Sequence, residues 1–424
     1  MWVREYINAD SLGAYPKALT VDDSGNVYIT GNCSKPNYIS VFGTVKYNTN
    51  GIFQWERFFN GTANFGAIPY SITTDKNGNS YITGTTVDSG NIRPITTIKY
   101  DSSGNQKWIK KYFFQNNSYR EGLKVQVDKN NYIYVGGNGK DEANTEYKFI
   151  LIKYDTGGTE KWVRTYGCTS GYNPSAYLKD LTIDNYNNIL VTGLSDSSQM
   201  GWDFTTLKYN SNGDWLWIKR YKKSFNSSDD VNAITVDRFN NVYVTGGTDN
   251  NTPWYQYLTV KYSQEGNFNW AMTYSDNNPY YYNHEAIKVK TDSAGNIYVT
   301  GNSDGIGTGL DIATIKYSGP SGIGSISNEI PAEYKLYQNY PNPFNNTTKI
   351  KYQIKSGVRN QESEVKIIVY DILGKEISSP VDRKQNSGIY EVMFDGSNLS
   401  TGIYFYRFII DGIIIDNKKL VFVK

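Results

Sequence analysis

The stretch Asp22-Asp-Ser-Gly-Asn-Val-Tyr-Ile-Thr-Gly31 decides the fold, because it returns five more times. Its copies start at Asp75, Asp128, Asp184, Asp237 and Asp292. Each closes nine residues later on a glycine: Gly84, Gly137, Gly193, Gly246 and Gly301. Farther out, every copy carries an apolar-Lys-Tyr step, with Lys46, Lys99, Lys153, Lys208, Lys261 and Lys316. Nine residues beyond the first five lysines stand Trp55, Trp108, Trp162, Trp217 and Trp270, whereas Ser325 holds that place in the sixth copy. The missing tryptophan is at the other end of the chain. Trp2 precedes Asp22 by 20 residues, the spacing from Trp55 to Asp75.

Each copy reads as four short strands, as in Lys17 to Asp22, Gly25 to Gly31, Phe42 to Tyr47 and Ile52 to Phe58. They are rich in Val, Ile, Thr, Tyr and Phe, with turn residues between them. A period of 53–56 residues with four strands per unit predicts a β-propeller. The split repeat predicts six blades over residues 1–317, closed by the N-terminal strand. Trp2 to Ile7 would pair with the strand around Ala313 to Tyr317 and remove two exposed edges. The Asp-led turns suit Asx geometry, with Gly or Asn where the backbone turns left-handed. Each turn offers too few carboxylates for a calcium shell. The repeated Lys and Asp read either as an ion pair within each blade or as a solvated Lys covering its neighbour with its stem.

Composition excludes several functions. The chain has 424 residues, with 43 basic and 41 acidic side chains, so no excess of positive charge points to nucleic acid. No apolar run is long enough for a membrane span. Two cysteines, Cys33 and Cys168, occupy unrelated places in their repeats and read as unpaired thiols. His284 is the single histidine, so neither a zinc tetrad nor a histidine triad is expected elsewhere, and no metal or cofactor is expected at all.

One face of the blades is built from turns of fixed length, while the opposite loops carry the variation in length and residue type. Recognition lies in loops that differ. The candidate ligand-binding residues are therefore Trp254, Tyr255 and Tyr257 in the fifth blade, with Tyr280, Tyr281, Tyr282 and His284 on the link after Trp270. Tyr172 and Tyr177, at the entry to the fourth blade, form a weaker cluster. Rings for stacking and amides for hydroxyls suit a glycan or a protein ligand. Adjacent carboxylates such as Asp229-Asp230 do not span a substrate pocket, so no catalytic residue is assigned and the protein is not expected to be an enzyme. The alternative is a polysaccharide-acting hydrolase or lyase on the same scaffold.

Residues 318–332 read as a Gly/Ser linker. Residues 333–424 then show short alternating strands and predict a small Ig-like β-sandwich, making the chain all-β. Tyr337-Gln-Asn-Tyr-Pro-Asn-Pro-Phe-Asn345, Val369-Tyr-Asp-Ile-Leu-Gly-Lys375, Leu399-Ser-Thr-Gly-Ile-Tyr-Phe-Tyr406 and Lys418-Lys-Leu-Val-Phe-Val-Lys424 follow in order. This region resembles the C-terminal sorting domain of the type IX secretion system. The blades resemble the bacterial β-propeller repeat family, whose units read Asp-x-x-Gly-Asn-x-Tyr-Val-Thr-Gly. The first resemblance implies a Bacteroidota-type source. It also implies recognition of residues 333–424 by the translocon and sortase, and a secreted or outer-membrane-surface location. The signal residues it implies are Pro341, Asn342, Pro343, Gly374, Gly402, Tyr404 and Lys424. Met1-Trp-Val-Arg-Glu has no apolar leader, so the gene is expected to extend upstream, with a larger ring as the alternative. A monomer is expected.

Overall fold

The computed structural model describes the chain except residues 8–12, 37–38, 62–65, 114–119, 141–145, 168–174, 197–201, 225–226, 250–254, 276–283, 294, 306–308, 318–323, 328–330, 332, 346, 356–362, 397–398 and 424. The described residues form antiparallel sheets throughout and divide into two compact units. Each repeat folds as its own sheet, with strands in chain order. The first is β1 (Ala14–Val21), β2 (Val27–Lys35), β3 (Ile39–Tyr47) and β4 (Phe53–Phe59). The second is β5 (Ala67–Thr74), β6 (Ser80–Thr86), β7 (Ile95–Tyr100) and β8 (Gln106–Tyr112). The third is β9 (Arg120–Val127), β10 (Ile133–Lys140), β11 (Tyr147–Tyr154) and β12 (Glu160–Tyr166). The fourth is β13 (Ala176–Ile183), β14 (Ile189–Ser195), β15 (Asp203–Tyr209) and β16 (Trp215–Tyr221). The fifth is β17 (Asp229–Val236), β18 (Val242–Thr248), β19 (Gln256–Tyr262) and β20 (Phe268–Tyr274). The sixth has three strands among the described residues: β21 (Glu285–Thr291), β22 (Ile297–Gly305) and β23 (Gly309–Tyr317).

The repeated residues have distinct mechanical roles. Asp22 Oδ1 accepts the Ser24 and Asn26 amides, and Oδ2 accepts the Asn26 side chain and the Tyr28 hydroxyl. Asp75, Asp184 and Asp237 each accept the same two amides and the side-chain amide of the matching Asn. The repeated Gly stands opposite a bulge in the first strand of blades 1 to 5. A Cβ at Gly84 would run into the carbonyl of Ile68, and one at Gly193 into that of Tyr177. Only glycine lets that backbone approach.

The repeated Lys is not the solvated stem allowed for above. It is buried in the first five blades, and in the first four it reaches the next blade. Lys46 Nζ donates to Ser102 O at 2.9 Å, and Trp55 Nε1 donates to the same oxygen at 3.1 Å. Lys99 and Trp108 share Thr156 O, Lys153 and Trp162 share Ser211 O, and Lys208 and Trp217 share Gln264 O. The ion-pair reading holds in direct contact at Lys208, whose Nζ lies 2.9 Å from Asp184 Oδ2 with both side chains buried. Burial pushes the Lys46, Lys99, Lys153 and Lys261 ammoniums below their usual range, while the Asp of each blade pulls them back.

The N-terminal segment makes the same contact without forming a strand. Residues 1–7 carry no ladder pairing. Yet Trp2 Nε1 donates to Thr49 O at 2.9 Å and Arg4 Nε to Gly51 O at 2.7 Å. Trp55 and Arg57 treat Ser102 and Gly104 in the same way. The expected pairing of Trp2 to Ile7 with the strand around Ala313 to Tyr317 is not seen among the described residues. The outer positions of the first and last blades are uncovered. Leu19 is 68% exposed, whereas its equivalents Ile72, Val125, Leu181, Ile234 and Val289 are buried. Ile312 is 85% exposed, whereas Phe42, Ile95, Phe149, Phe204 and Tyr257 are buried. A Cβ on Gly84 would meet Phe42 Cζ at 2.6 Å, so that ring fills the space over the second blade. The matching Gly31 opens instead on a cavity of about 240 Å³ lined by Gly43, Val45 and Cys33. Cys33 is a buried free thiol, and Cys168 lies outside the described residues.

The second unit contains a sandwich of two four-stranded sheets. One holds β24 (Gly324–Ser327), β25 (Lys335–Leu336), β26 (Thr347–Ile354) and β29 (Gly388–Asp395). The other holds β27 (Ser363–Tyr370), β28 (Glu376–Gln385), β30 (Gly402–Ile410) and β31 (Ile413–Phe422). Their inner faces meet in one core that includes Ile350, Tyr352, Val365, Ile367, Val392, Tyr406, Phe408 and Phe422. The stretch expected to be only a linker contributes β24, which pairs with β29. The sandwich therefore begins earlier than residue 333.

Candidate functional site

The variable loops lead into strands that begin at the same end of each blade, so the first residues of those strands gather on one face. Three rings meet where the third and fourth blades adjoin. Tyr147 opens β11, and its ring centroid lies 4.6 Å from that of Tyr177 in β13. Tyr177 in turn meets Trp202 edge-on at 5.5 Å. All three are half-buried, which leaves part of each ring to solvent. Burial raises the Tyr177 hydroxyl above its usual range, a Ser175 hydrogen bond pulls it down, and Tyr147 adds to the rise.

Two ion pairs and a buried carboxyl belong to the neighbouring strands. Asp203, next to Trp202, pairs with Lys222 at 3.1 Å, and Asp230 pairs with Lys179 at 3.2 Å. Asp229 is fully buried. Its amide donates to Trp202 O at 3.0 Å, and its Oδ2 accepts the Lys223 amide at 3.1 Å. Burial lifts its carboxyl above the usual range. Bonds from Thr248, Lys223 and Ser227 hold it down, and the neighbouring Asp203 charge pushes it up. Asp229 therefore fastens the 222–228 link to the fourth blade from beneath the surface.

Of the sequence-predicted residues, Tyr177 and Tyr255 reach this surface. The Tyr255 ring lies over Gly247, where a Cβ would come within 2.8 Å of Cδ1. Burial raises its hydroxyl, Ser228 bonds to it, and Asp249, Asp230 and Glu285 add negative charge around it. Tyr257 does not belong to the site. It is buried, donates to Ala313 O at 3.3 Å and packs on Tyr274, with its hydroxyl pushed up to about 12. His284 is also buried, with Nδ1 3.0 Å from the Ser303 hydroxyl. Tyr257 stands in the column of buried Phe149 and Phe204, and His284 in that of buried Ala176, so ring density alone did not separate surface from core. Trp254, Tyr280, Tyr281, Tyr282 and Tyr172 lie outside the described residues. Tyr147 and Trp202 were missed as a pair. Their signal was position, since each stands at or beside the first residue of a third strand after a variable loop.

In the sandwich the segment Pro341 to Phe344 is fixed by hydrogen bonds and packing. Asn342 Oδ1 accepts the Val421 amide at 2.8 Å, and Phe344 is buried against Phe394 and Phe422. Pro341 O accepts Thr348 Oγ1 at 2.7 Å and Asn339 Nδ2 at 3.1 Å. Tyr404 donates to Ser400 O, two residues before Gly402. Pro343 is exposed beside this lock. Gly374 sits apart, at φ 81° in the turn after β27, and Lys424 lies outside the described residues. Buried Asn339 and Tyr406 are the clamp that the sequence reading missed. The Tyr406 hydroxyl accepts the Asn339 amide and donates to Tyr337 O, both at 2.8 Å.

Residues 338–423 match the family described as a secretion system C-terminal sorting domain. The terminal sandwich is a sorting domain. Residues 62–89 match a β-propeller repeat. The sorting domain marks a secreted or cell-surface protein, and it implies interaction with the type IX secretion machinery. No curated protein matches the chain. Among solved structures it is similar to a protein of unknown function from Dyadobacter fermentans, at 11% identity and TM-score 0.42 over 72% of this chain and 93% of that one. It is similar to an ulvan lyase of a polysaccharide lyase family at 11% identity and TM-score 0.46, over 80% and 90%. It is also similar to an endo-arabinase from Bacteroides thetaiotaomicron, at 11% identity and TM-score 0.34 over 61% and 92%.

Asp229 supplies a pH test. A carboxyl raised in the folded state adds stability that is fully present below the unfolded pKa, near 3.9, and is lost as pH rises through the folded pKa. Asp229→Asn should therefore raise the melting temperature at pH 7 and flatten its fall between about pH 4 and neutrality. Melting curves across pH check this. A variant that melts lower than the parent at pH 7 would show that the carboxylate form is the stabilising one.

Proposed function

We propose that this secreted or cell-surface propeller binds a glycan through its variable face, without catalysis, after export by the type IX system. The observation that carries the reading is the Tyr147–Tyr177–Trp202 cluster. Its rings are fixed by mutual contact and partly open, with paired charges on the same strands, Lys179 with Asp230 two residues past Tyr177 and Asp203 with Lys222 next to Trp202. Flat apolar faces beside paired charges suit a sugar, which offers an apolar ring face and a rim of hydroxyls. The hydrolase or lyase alternative finds its best support in Asp229, the carboxyl that is pushed upward. That group is sealed under the surface and bound to the 222–228 link, so its placement favours a structural role. A protein ligand is the other outcome of a binding screen.

The scaffold we propose is a six-bladed ring closed at the first blade. Trp2 and Arg4 already repeat the contacts of Trp55 and Arg57. Blade six would supply the apolar knob, Ile312, over Gly31 and Leu19. Closure within one chain costs no association entropy, whereas a partner molecule would.

Three outcomes are expected. Stacked rings contribute about 1–3 kcal/mol each, so Tyr177→Ala and Trp202→Ala should weaken glycan binding about fivefold to a hundredfold. Affinity on a glycan array and melting temperature are read on the same variants. Unchanged affinity with lowered melting would make the rings mere packing. For the ring, Leu19→Asp should lower the melting temperature by as many degrees as Ile72→Asp does. A harmless Leu19→Asp would mean that the first blade stays uncovered. For export, removing residues 338–424 should leave the propeller folded but held in the periplasm, and normal surface display of that protein would refute the assignment.

A further inference from the structure

One hairpin turn of the sorting sandwich displays two aliphatic side chains to water. Ile372 is 71% exposed and Leu373 88%. The turn that carries them is firmly built. Asp371 Oδ1 accepts the Leu373 amide at 2.9 Å and the Lys375 amide at 3.0 Å. The Gly374 amide donates to Asp371 O and the Asp371 amide to Lys375 O, both at 3.0 Å, with Gly374 at φ 81°. The propeller builds the same turn from Asp101-Ser-Ser-Gly104, with the same set of bonds and Gly104 at φ 82°. There the two central positions are polar, as are Asp23-Ser24, Thr49-Asn50 and Lys76-Asn77 in other turns of the propeller. The turn geometry therefore does not call for aliphatic residues, and their exposure to water is unfavourable.

The tip continues onto the outer face of its sheet. Tyr370, the last residue of β27, pairs with exposed Phe405 of β30. Ile403, two residues earlier on β30 and also exposed, stands level with the turn and pairs with Val421 of β31. Strand alternation puts Ile403 and Phe405 on the outer face, while Tyr404 and Tyr406 turn into the core. Cations border this surface. Lys375 closes the turn, Lys419 stands opposite Phe405, and Arg407 lies over the Tyr370 ring at 5.1 Å. Glu376 follows Lys375 as an exposed carboxylate, and Asp371 is held by the turn amides, so positive charge prevails at this end of the sheet. Joined apolar surface inside a charged rim marks an interaction site. A display that is already rigid loses little freedom when a partner covers it.

We infer that Ile372 and Leu373, backed by Ile403 and Phe405, form the knob by which the type IX secretion machinery holds this domain. The partner surface is an apolar pocket on a protein of that machinery. Its rim is acidic, to complement Lys375, Arg407 and Lys419. The inference rests on the reading of export by the type IX system, to which the sorting domain points.

The test is export of the full chain in a bacterium that carries a type IX system. The readout is the amount that reaches the cell surface or medium against the amount left in the periplasm. Ile372→Ser with Leu373→Ser recreates the propeller's own Asp-Ser-Ser-Gly turn, so the melting temperature should hold. Export of this variant should fall about tenfold, whereas Ile372→Val with Leu373→Met should keep it. Lys375→Glu with Lys419→Glu should lower export too, because an acidic rim would repel it. Parental export of the double-serine variant would overturn the inference. Leu373→Ser alone takes its place if the double change lowers the melting temperature. Removal of residues 338–424 separates the two ways of failing. If that chain also reaches the surface, the sorting reading fails; if it alone is held back, only the docking surface does. With Leu373→p-benzoylphenylalanine, light should join the chain to a protein of the secretion machinery. A product that joins only two copies of this chain would assign the knob to self-association and overturn the inference.

Discussion

One carbonyl oxygen per blade holds the repeat together. In four successive junctions a tryptophan indole and a buried lysine ammonium both donate to the same turn oxygen of the following blade. The arrangement couples two features that look independent in the sequence. The turn carbonyl faces outward because the Asp, Asn or Ser that leads the turn takes up the amides inside it, and the lysine tolerates burial because the Asp of its own blade's first turn lies near it. Hydrogen bonds from a charged group contribute about 1.5–3 kcal/mol each, and a buried ammonium left without its acceptor costs more than that. A blade that loses its neighbour therefore exposes apolar surface and also strands a charge. This is why stability in such an array resides at the junctions and why both ends of the array are special.

The ends show that constraint from its other side. Lys316 is exposed where five equivalents are buried, and Leu19 and Ile312 are the outliers of their columns. Trp2 already occupies the turn of the first blade, so the first blade has its donor from the previous strand without the rest of a previous blade. Each end lacks what the other carries. That complementarity is a property of the repeat rather than of any single residue, and it is the physical content of a split repeat.

Much of this was legible because it is periodic. The strand order, turns of fixed length and an all-β chain follow from residue types that recur at constant spacing, and the sandwich follows from alternation after the repeat stops. The role of the repeated Lys was not legible, since spacing along the chain cannot say that its partner lies in the next blade. The repeated Gly was read only as the close of the second strand, and its necessity comes from a bulge in the neighbouring strand, which no local pattern announces. The candidate site was legible as a face and only partly as residues. Tyr177 and Tyr255 stand on it, whereas His284 sits one step out of phase with Tyr177, in the column of buried Ala176, and Tyr257 shares the phase of Tyr255 but lies one step deeper along the strand, in the column of buried Phe149 and Phe204.

The same phase argument bears on how the site could change without disturbing its scaffold. The residues that gather at the variable face stand at or near the starts of their strands, with Tyr147 opposite Lys140 and Tyr177 opposite Leu194. Tyr147, Tyr177 and Trp202 touch one another, and Trp202 also packs against the core between the fourth and fifth blades, so replacing it alters that junction as well as the surface. Asp229 is a second buried tie, because it joins a variable link to the fourth blade from below. The face is thus anchored at buried points and free between them. Loop length and ring type can then vary while the turn carbonyls on the far side keep the blades in register.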